Sequence, residues 1–227
     1  MPEFCKAERD GHILTVTMNR PERMNALHSP SHFEMDEIFN DFESDPELWV
    51  AIVTGAGDKA FSAGNDLKWQ AEGKKTDPPA SGFAGLVNRF NMKKPIIGAV
   101  NGLAMGGGFE VALACDIIIA ADNAFFALPE PRVGLAALAG GLHRLSRQIP
   151  MKQAMGMILT GRRVMAEEGY KLGFVTEVVP EGGALEGARR WAELISECSP
   201  VSIRTSKDVV LRGQDHPSVG EAMLAEY

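Results

Sequence analysis

Apolar and polar positions along this chain change period several times. His12–Met18 (HILTVTM) alternates as a half-buried strand does, and Asn19-Arg20-Pro21 stops it, because proline cannot donate to a sheet ladder. From Ser31 the spacing turns helical. Phe33, Ile38, Phe39 and Phe42 supply an apolar face, Ser31 is placed to cap it, and Ser44-Asp45-Pro46 ends it. Val50–Thr54 (VAIVT) and Ile96–Val100 (IIGAV) are short continuous apolar runs, the pattern of buried parallel strands. Between them FSAGNDLK and Lys74–Pro79 (KKTDPP) read as loops, and Phe83, Leu86, Val87 and Phe90 mark a helix face.

Gly106–Ala114 reads as a helix opened by glycines, followed by strands at Ile117–Ala120 and Ala124–Phe126. Short helices are predicted over Gly140–Arg147, Lys152–Leu159 and Ala166–Lys171, and a last strand over Val175–Val179. Helices over Ala184–Glu197, Ser202–Leu211 and Ser218–Tyr227 complete the chain. Strands alternating with helices predict an α/β core with right-handed crossovers, spanning 1–195, and a helical part from 196 to 227.

Composition narrows the function. Lys and Arg number 23 against 30 Asp and Glu, a formal net charge of −7, which opposes a nucleic-acid binder that must neutralise phosphates. Cys5, Cys115 and Cys198 are odd in number and far apart, which suggests neither a disulfide framework nor a zinc site, and Cys115 reads as a small core residue. No basic segment leading into an apolar stretch opens the chain, and no apolar run is long enough to span a bilayer. A cytoplasmic protein without membrane contact is expected.

Several motifs are excluded by context. Gly55-Ala56-Gly57-Asp58-Lys59-Ala60 fits a dinucleotide fingerprint, but a second glycine loop and a proline-rich segment follow where a helix and an acid-terminated strand are required. GxxxxGK[ST] and GxSxG are absent. His28 and His32 stand four apart, but with no third ligand in sequence context they read as a solvated pair near a helix start, and no metal is expected.

Residues 101–141 carry the candidate chemistry. Gly106, Gly107 and Gly108 open a helix directly after a buried strand, where free amides and the helix dipole favour negative charge. Glu110 falls within the first turn. Glu130 follows an apolar run and is bracketed by Pro129 and Pro131. Two glutamates in apolar surroundings flanking one glycine-opened helix point to acid–base work.

These residues resemble the crotonase superfamily, the enoyl-CoA hydratase/isomerase family. The matching stretches are NRPERMNAL at 19–27, GAGDKAFSAGNDLK at 55–68, residues 94–135 from KPIIGAVNG to PRVGL, GGLHRL at 140–145, and LTGRRVMAEEGYKLGFVTEVV at 159–179. SAGNDLK, SGFAGL, GGGFE, FALPE and TGRRVMAEE are most similar to its carnitinyl-CoA dehydratase-like branch. The resemblance implies a crotonase (ClpP-like) spiral of ββα units with a helical C-terminal region, further helices beyond Tyr227, and assembly as a homotrimer or hexamer.

The resemblance also implies roles. The backbone amides of Asn65 and Gly107 would hold a thioester oxygen. Glu110 would activate water at Cβ, and Glu130 would handle the proton at Cα. Arg23, Ala26, Leu27, Ala63, Asp66, Leu67 and Lys68 would receive the CoA and thioester parts of the substrate, coenzyme A being part of the substrate and not a separate cofactor. Trp69 is a candidate for lining the acyl pocket or stacking on a cationic acyl group. One departure stands out: Leu135-Ala136-Ala137-Leu138-Ala139 occupies the segment where family hydratases commonly carry Pro with Gly or Asp. The activity implied is hydration of a 2-enoyl-CoA or the reverse dehydration. An isomerase using Glu130 alone, a carnitinyl-CoA dehydratase, and a non-catalytic RNA-binding member are the alternatives.

Overall fold

In the computed structural model, residues 3–75 and 77–225 are described; Thr76 of the KKTDPP loop and the last two residues of the helix expected to reach Tyr227 lie outside them. The chain opens with a hairpin, β1 (Cys5–Asp10) and β2 (Ile13–Met18), followed by α1 (Ser29–Ser44). Strands then come in pairs: β3 (Val50–Gly55) with β4 (Ala60–Ser62), β5 (Ile96–Val100) with β6 (Leu103–Met105), and β7 (Ile117–Ala121) with β8 (Phe125–Ala127). The first strand of each pair enters one sheet and the second enters another. Among the described residues the larger sheet runs β1-β2-β3-β5-β7-β10 and the smaller β4-β6-β8-β9, where β9 is Val164–Met165 and β10 is Glu177–Val179.

Pairing is parallel from β2 to β10 across the larger sheet, and antiparallel only in β1–β2 and β8–β9. The two sheets fed alternately by successive strand pairs are the spiral of ββα units. Helices α2 (Leu67–Ala71), α3 (Gly107–Ala114), α4 (Gly141–Gln148), α5 (Met151–Thr160) and α6 (Ala166–Leu172) sit between or after these strands. Then α7 (Ala184–Ser196) crosses β3, β5 and β7, and α8 (Pro200–Gly213) and α9 (Val219–Leu224) follow.

Every residue of β3 and β5 is buried, as expected for parallel strands covered on both faces. Phe109 of α3, Phe126 of β8 and Phe174 form an aromatic knot with ring centroids 5.1–5.3 Å apart, which fixes α3 against the smaller sheet. By contrast α8 and α9 bury none of their described residues. Polar contacts hold α8: Lys207 Nζ donates to Asp116 Oδ2 (2.7 Å) and to the Lys94 carbonyl (2.9 Å), and Lys93 pairs with Asp208 at 2.8 Å. Among the described residues no helix is long and apolar enough to cross a membrane.

Several expectations are corrected. The FSAGNDLK stretch is not all loop: it starts in β4 and ends in α2. The expected helix carrying Phe83 and Phe90 is a single 3-10 turn at Phe83–Gly85, with Ala84 in the left-handed region at φ 58. Its apolar spacing serves burial of a loop, with Leu86 and Val87 in the core and Phe90 exposed. On α1, Met35, Ile38, Phe39 and Phe42 form the buried stripe at i, i+3, i+4, i+7, while Phe33 lies off it and is 47% exposed. The cap of α1 is His28, not Ser31: its Nδ1 accepts from the Ser31 amide.

Candidate active site

The site is built on the N-terminus of α3. Gly106 caps it with φ 52, and its amide donates to the Ala127 carbonyl, which ties the helix start to β8. A Cβ on Gly108 would stand 2.1 Å from the Ser62 carbonyl oxygen, so the helix lies against β4 at a distance only glycine allows. Gly64 has φ +86, and a Cβ there would stand 2.7 Å from the Met105 carbonyl oxygen and 2.8 Å from the Gly107 nitrogen. The residue before Asn65 is therefore pressed against the Gly107 amide.

Both expected oxyanion donors are unengaged. Leu27 and Asn65 form a parallel bridge in which the Leu27 amide donates to Gly64 and the Asp66 amide donates to Leu27. That alternation turns the Asn65 N–H away from Leu27. Gly107 is the first residue of α3, where no intrahelical acceptor exists. Among the described residues neither amide donates a hydrogen bond. The Asn65 side chain is occupied separately, donating to Gln70 Oε1 at 3.2 Å.

The two carboxylates converge on the same helix end. Glu110 is 3% exposed, and its Oε1 accepts from the Gly141 amide at 2.8 Å, the first amide of α4. Burial pushes its pKa up to about 7; the charge of Glu130 adds to this, and the Gly141 and Ala139 amides with Arg144 oppose it. Gly141 has to be small, since a Cβ there would touch Glu110 Cγ at 3.0 Å. Glu130 begins a 3-10 turn (Glu130–Val133), and its Oε1 lies 2.9 Å from where a Cβ on Gly106 would be. Its Oε2 is buried and has no hydrogen-bond partner among the described residues, and burial raises its pKa. A buried carboxylate oxygen without a donor favours the protonated acid.

In the departing segment Leu135–Ala139, Ala137 is buried against the Gly141 position while Leu138 is 78% exposed. The Ala139 amide lies close enough to Glu110 to lower its pKa, an effect that does not depend on side-chain type.

Of the residues expected to receive CoA, Arg23, Leu67 and Lys68 are exposed, Ala63 is half-buried, and Ala26 and Leu27 are buried. The Asp66 carboxylate is already committed. It caps α2 by accepting from the Lys68 and Trp69 amides (3.1 Å each) and pairs with Arg20 at 2.9 Å. Burial works to raise its pKa, but the Trp69 amide, the Arg20 guanidinium and the Lys68 amide hold it below the ordinary carboxylate range. Arg20 also donates to the Ala26 carbonyl at 2.6 Å, so this buried pair fixes the NRPERMNAL loop beside the Asn65 amide. Removing one partner strands the other charge. Asp66→Ala is therefore expected to lower stability by about 3–5 kcal/mol in urea unfolding, and Asp66→Asn, which keeps a cap acceptor, by less.

Sequence reading missed Arg20 and Asn25. Asn25, at φ 53, donates to the Ala56 (3.0 Å) and Ala60 (2.7 Å) carbonyls and locks the same loop onto the β3–β4 turn. Its place inside the NRPERMNAL stretch was the available signal. The histidines are not solvated: His28 is 2% and His32 1% exposed. Burial, reinforced by the charge of His28, pushes the His32 pKa down to about 4, so its Nδ1 stays free to accept from the Ala84 amide at 3.0 Å. Among the described residues no group of three or more His, Cys, Asp or Glu is placed to hold a metal ion. Trp69 donates to the Lys75 carbonyl, packs edge-on against His28, and has the Lys74 ammonium 4.2 Å from its ring centroid. That face already carries a cation from the chain itself.

Comparison with known proteins gives the family and the fold. The family model for enoyl-CoA hydratase/isomerase matches residues 8–225. Carnitinyl-CoA dehydratase of Escherichia coli (strain K12) is 45% identical over 219 residues, covering 96% of this chain and 84% of that protein. The crystal structure of carnitinyl-CoA hydratase from Mycobacterium avium superposes with a TM-score of 0.89 at 41% identity, covering 91% of this chain and 80% of that one. The enoyl-CoA hydratase of Mycobacterium tuberculosis H37Rv gives 0.92 at 35% identity, covering 98% and 86%. With its alternating two-sheet spiral and its paired glutamates at a glycine-opened helix, this chain belongs to the enoyl-CoA hydratase/isomerase family.

Proposed function

We propose that the protein hydrates a 2-enoyl-CoA to the 3-hydroxyacyl-CoA, or runs the reverse dehydration. The observation that carries this reading is the convergence of Glu110, Glu130 and the unengaged Gly107 amide on one end of α3. Water attacks Cβ as ionised Glu110 takes its proton. The π electrons move through Cα to the thioester oxygen, whose charge is received by the Asn65 and Gly107 amides. Protonated Glu130 then delivers a proton to Cα, and the pair resets by exchanging a proton through solvent. Two preorganised donors suit this step, because one such donor is worth about 3 kcal/mol in a comparable oxyanion site.

The exposed Arg23 and Lys68 are the cations placed for CoA phosphates, with Ala26, Leu27, Ala63 and Leu67 beside the thioester and Asp66 acting by holding the loop. CoA enters as part of the substrate, and no separate cofactor takes part. A homotrimer or hexamer is supported by the exposed stripe Met151, Met155 and Leu159 on α5, whose i, i+4, i+8 spacing leaves one apolar helix face open. Free Cys5, Cys115 and Cys198 suit a reducing cytoplasm.

The test is turnover. Crotonyl-CoA and crotonobetainyl-CoA are expected to lose their conjugated-thioester absorbance and yield 3-hydroxyacyl products by mass spectrometry. Conversion of 3-enoyl to 2-enoyl thioesters without water addition assigns the isomerase instead. Salt-sensitive RNA binding with no turnover assigns a non-catalytic role.

A further inference from the structure

The segment 81–89 is anchored to α1, and Arg144 of α4 donates to its Val87 carbonyl at 2.6 Å. Ser81 Oγ donates to Asp36 Oδ1, and Arg89 Nη2 donates to Asp36 Oδ1 and Asn40 Oδ1 at 2.7 Å each. A Cβ on Gly85 would stand 2.4 Å from the Asp36 nitrogen, so the turn lies flat on the helix. Nearest the active site the anchor is His32, whose Nδ1 accepts from Ala84 at 3.0 Å and whose ring centroid lies 4.4 Å from that of Phe83. Ala84 takes a left-handed backbone, φ 58, without being glycine. Such a conformation persists only where its surroundings enforce it, and the His32 hydrogen bond is made at that residue.

The enforced turn aims Phe83 at Gly107. Its ring tip comes within 2.5 Å of where a Cβ on Gly107 would stand. Gly107 and Glu110 are three residues apart on α3 and so share a face. The ring therefore stands on the face that carries Glu110, beside the Gly107 amide. Its neighbours Leu86 and Val87 are buried in the core, whereas Phe83 is half-buried.

We infer that Phe83 sets the size of the acyl group the site accepts, and that His32 is the positioning residue that holds it there. The identity of the ligand as an acyl-CoA rests on the function proposed above. The experiment therefore reads binding and turnover separately. Butyryl-CoA and octanoyl-CoA, which lack the double bond, are titrated calorimetrically against wild type, Phe83→Ala, His32→Leu and His32→Gln. The 2-enoyl thioesters of the same lengths supply kcat/KM.

Phe83→Ala is expected to shift the octanoyl-to-butyryl ratio at least about tenfold toward the longer chain, the scale of a few methylenes in a hydrophobic pocket. His32→Leu shifts it the same way by several fold, and His32→Gln restores it, because the amide oxygen can accept from Ala84. Phe83→Leu replaces Phe83→Ala if the latter does not fold. Equal loss for both chain lengths, or an unchanged ratio, overturns the assignment. If wild type turns over no enoyl-CoA yet the binding ratio shifts, the hydratase reading falls and this one stands. If wild type turns over and neither ratio shifts, this one falls alone. Absence of acyl-CoA binding by wild type overturns both.

Discussion

Glu110→Gln lowers turnover of a 2-enoyl-CoA by about 10²–10⁴-fold, the range for loss of a positioned general base, while the folded protein becomes more stable above neutral pH. The two effects share one cause. Burial lifts the Glu110 pKa to about 7, well above an ordinary carboxylate. A raised folded-state pKa makes the folded chain bind a proton that the unfolded chain has released. Stability from this group is therefore full below about pH 4.5, the unfolded value, and declines as pH rises toward about 7. Glutamine removes that decline while its side-chain oxygen still accepts from Gly141.

In hydration, wild-type kcat/KM is expected to rise with pH through about 7 as Glu110 of the free enzyme ionises, a limb that Glu110→Gln lacks. Stopped-assay rates across pH and thermal melts of both proteins check this. Near-normal turnover in Glu110→Gln refutes the assignment. Lower activity with a lower melting temperature marks a structural role. Glu130→Gln is expected to lose activity on the same scale, since an amide cannot deliver a proton to Cα.

Gly107→Ala is expected to lower kcat by about 10²–10³-fold, the loss on removing one oxyanion donor. Helix propensity cannot explain such a loss, since alanine is the better helix former by about 1 kcal/mol. The new methyl would meet Phe83 at 2.5 Å, displacing either the ring or the amide. Adding Phe83→Ala to Gly107→Ala therefore recovers at least about tenfold of the lost rate if the ring is the obstacle. Additive losses in the double variant mean that the amide moves for another reason. Gly108→Ala has no such remedy, because its methyl would meet the Ser62 backbone at 2.1 Å.

What the linear pattern could reveal depended on length and chemistry. β3, β5 and β7 were legible because each is a buried apolar run bounded by turn residues, and α3 because glycines open it. β4 and β6 were not, because each is a short piece next to a glycine loop with no bounded apolar run of its own; β4 exists as a strand through its pairing with β6, about 40 residues away. Phe83 and Phe90 matched a helical spacing that the chain uses for a turn, since His32 of α1 accepts from the Ala84 amide and Asp36 and Asn40 hold the Arg89 side chain after it.

The same division runs through the site. Glu110 and Glu130 could be picked out by their apolar settings and glycine or proline neighbours, and the family was legible from ordered motifs alone. Sequence could not show that Asp66 spends its carboxylate on Arg20 and the α2 cap, or that His28 and His32 are buried. By itself, then, the sequence determined the chemistry available and the elements with enough residues to show a period. Only the tertiary structure decided which groups are dry, which are already paired, and that Gly64 presses against Gly107 while the Asn65 and Gly107 amides stay unengaged. The reason is physical: burial and pairing are properties of contacts between segments distant in the chain, and no local pattern encodes them.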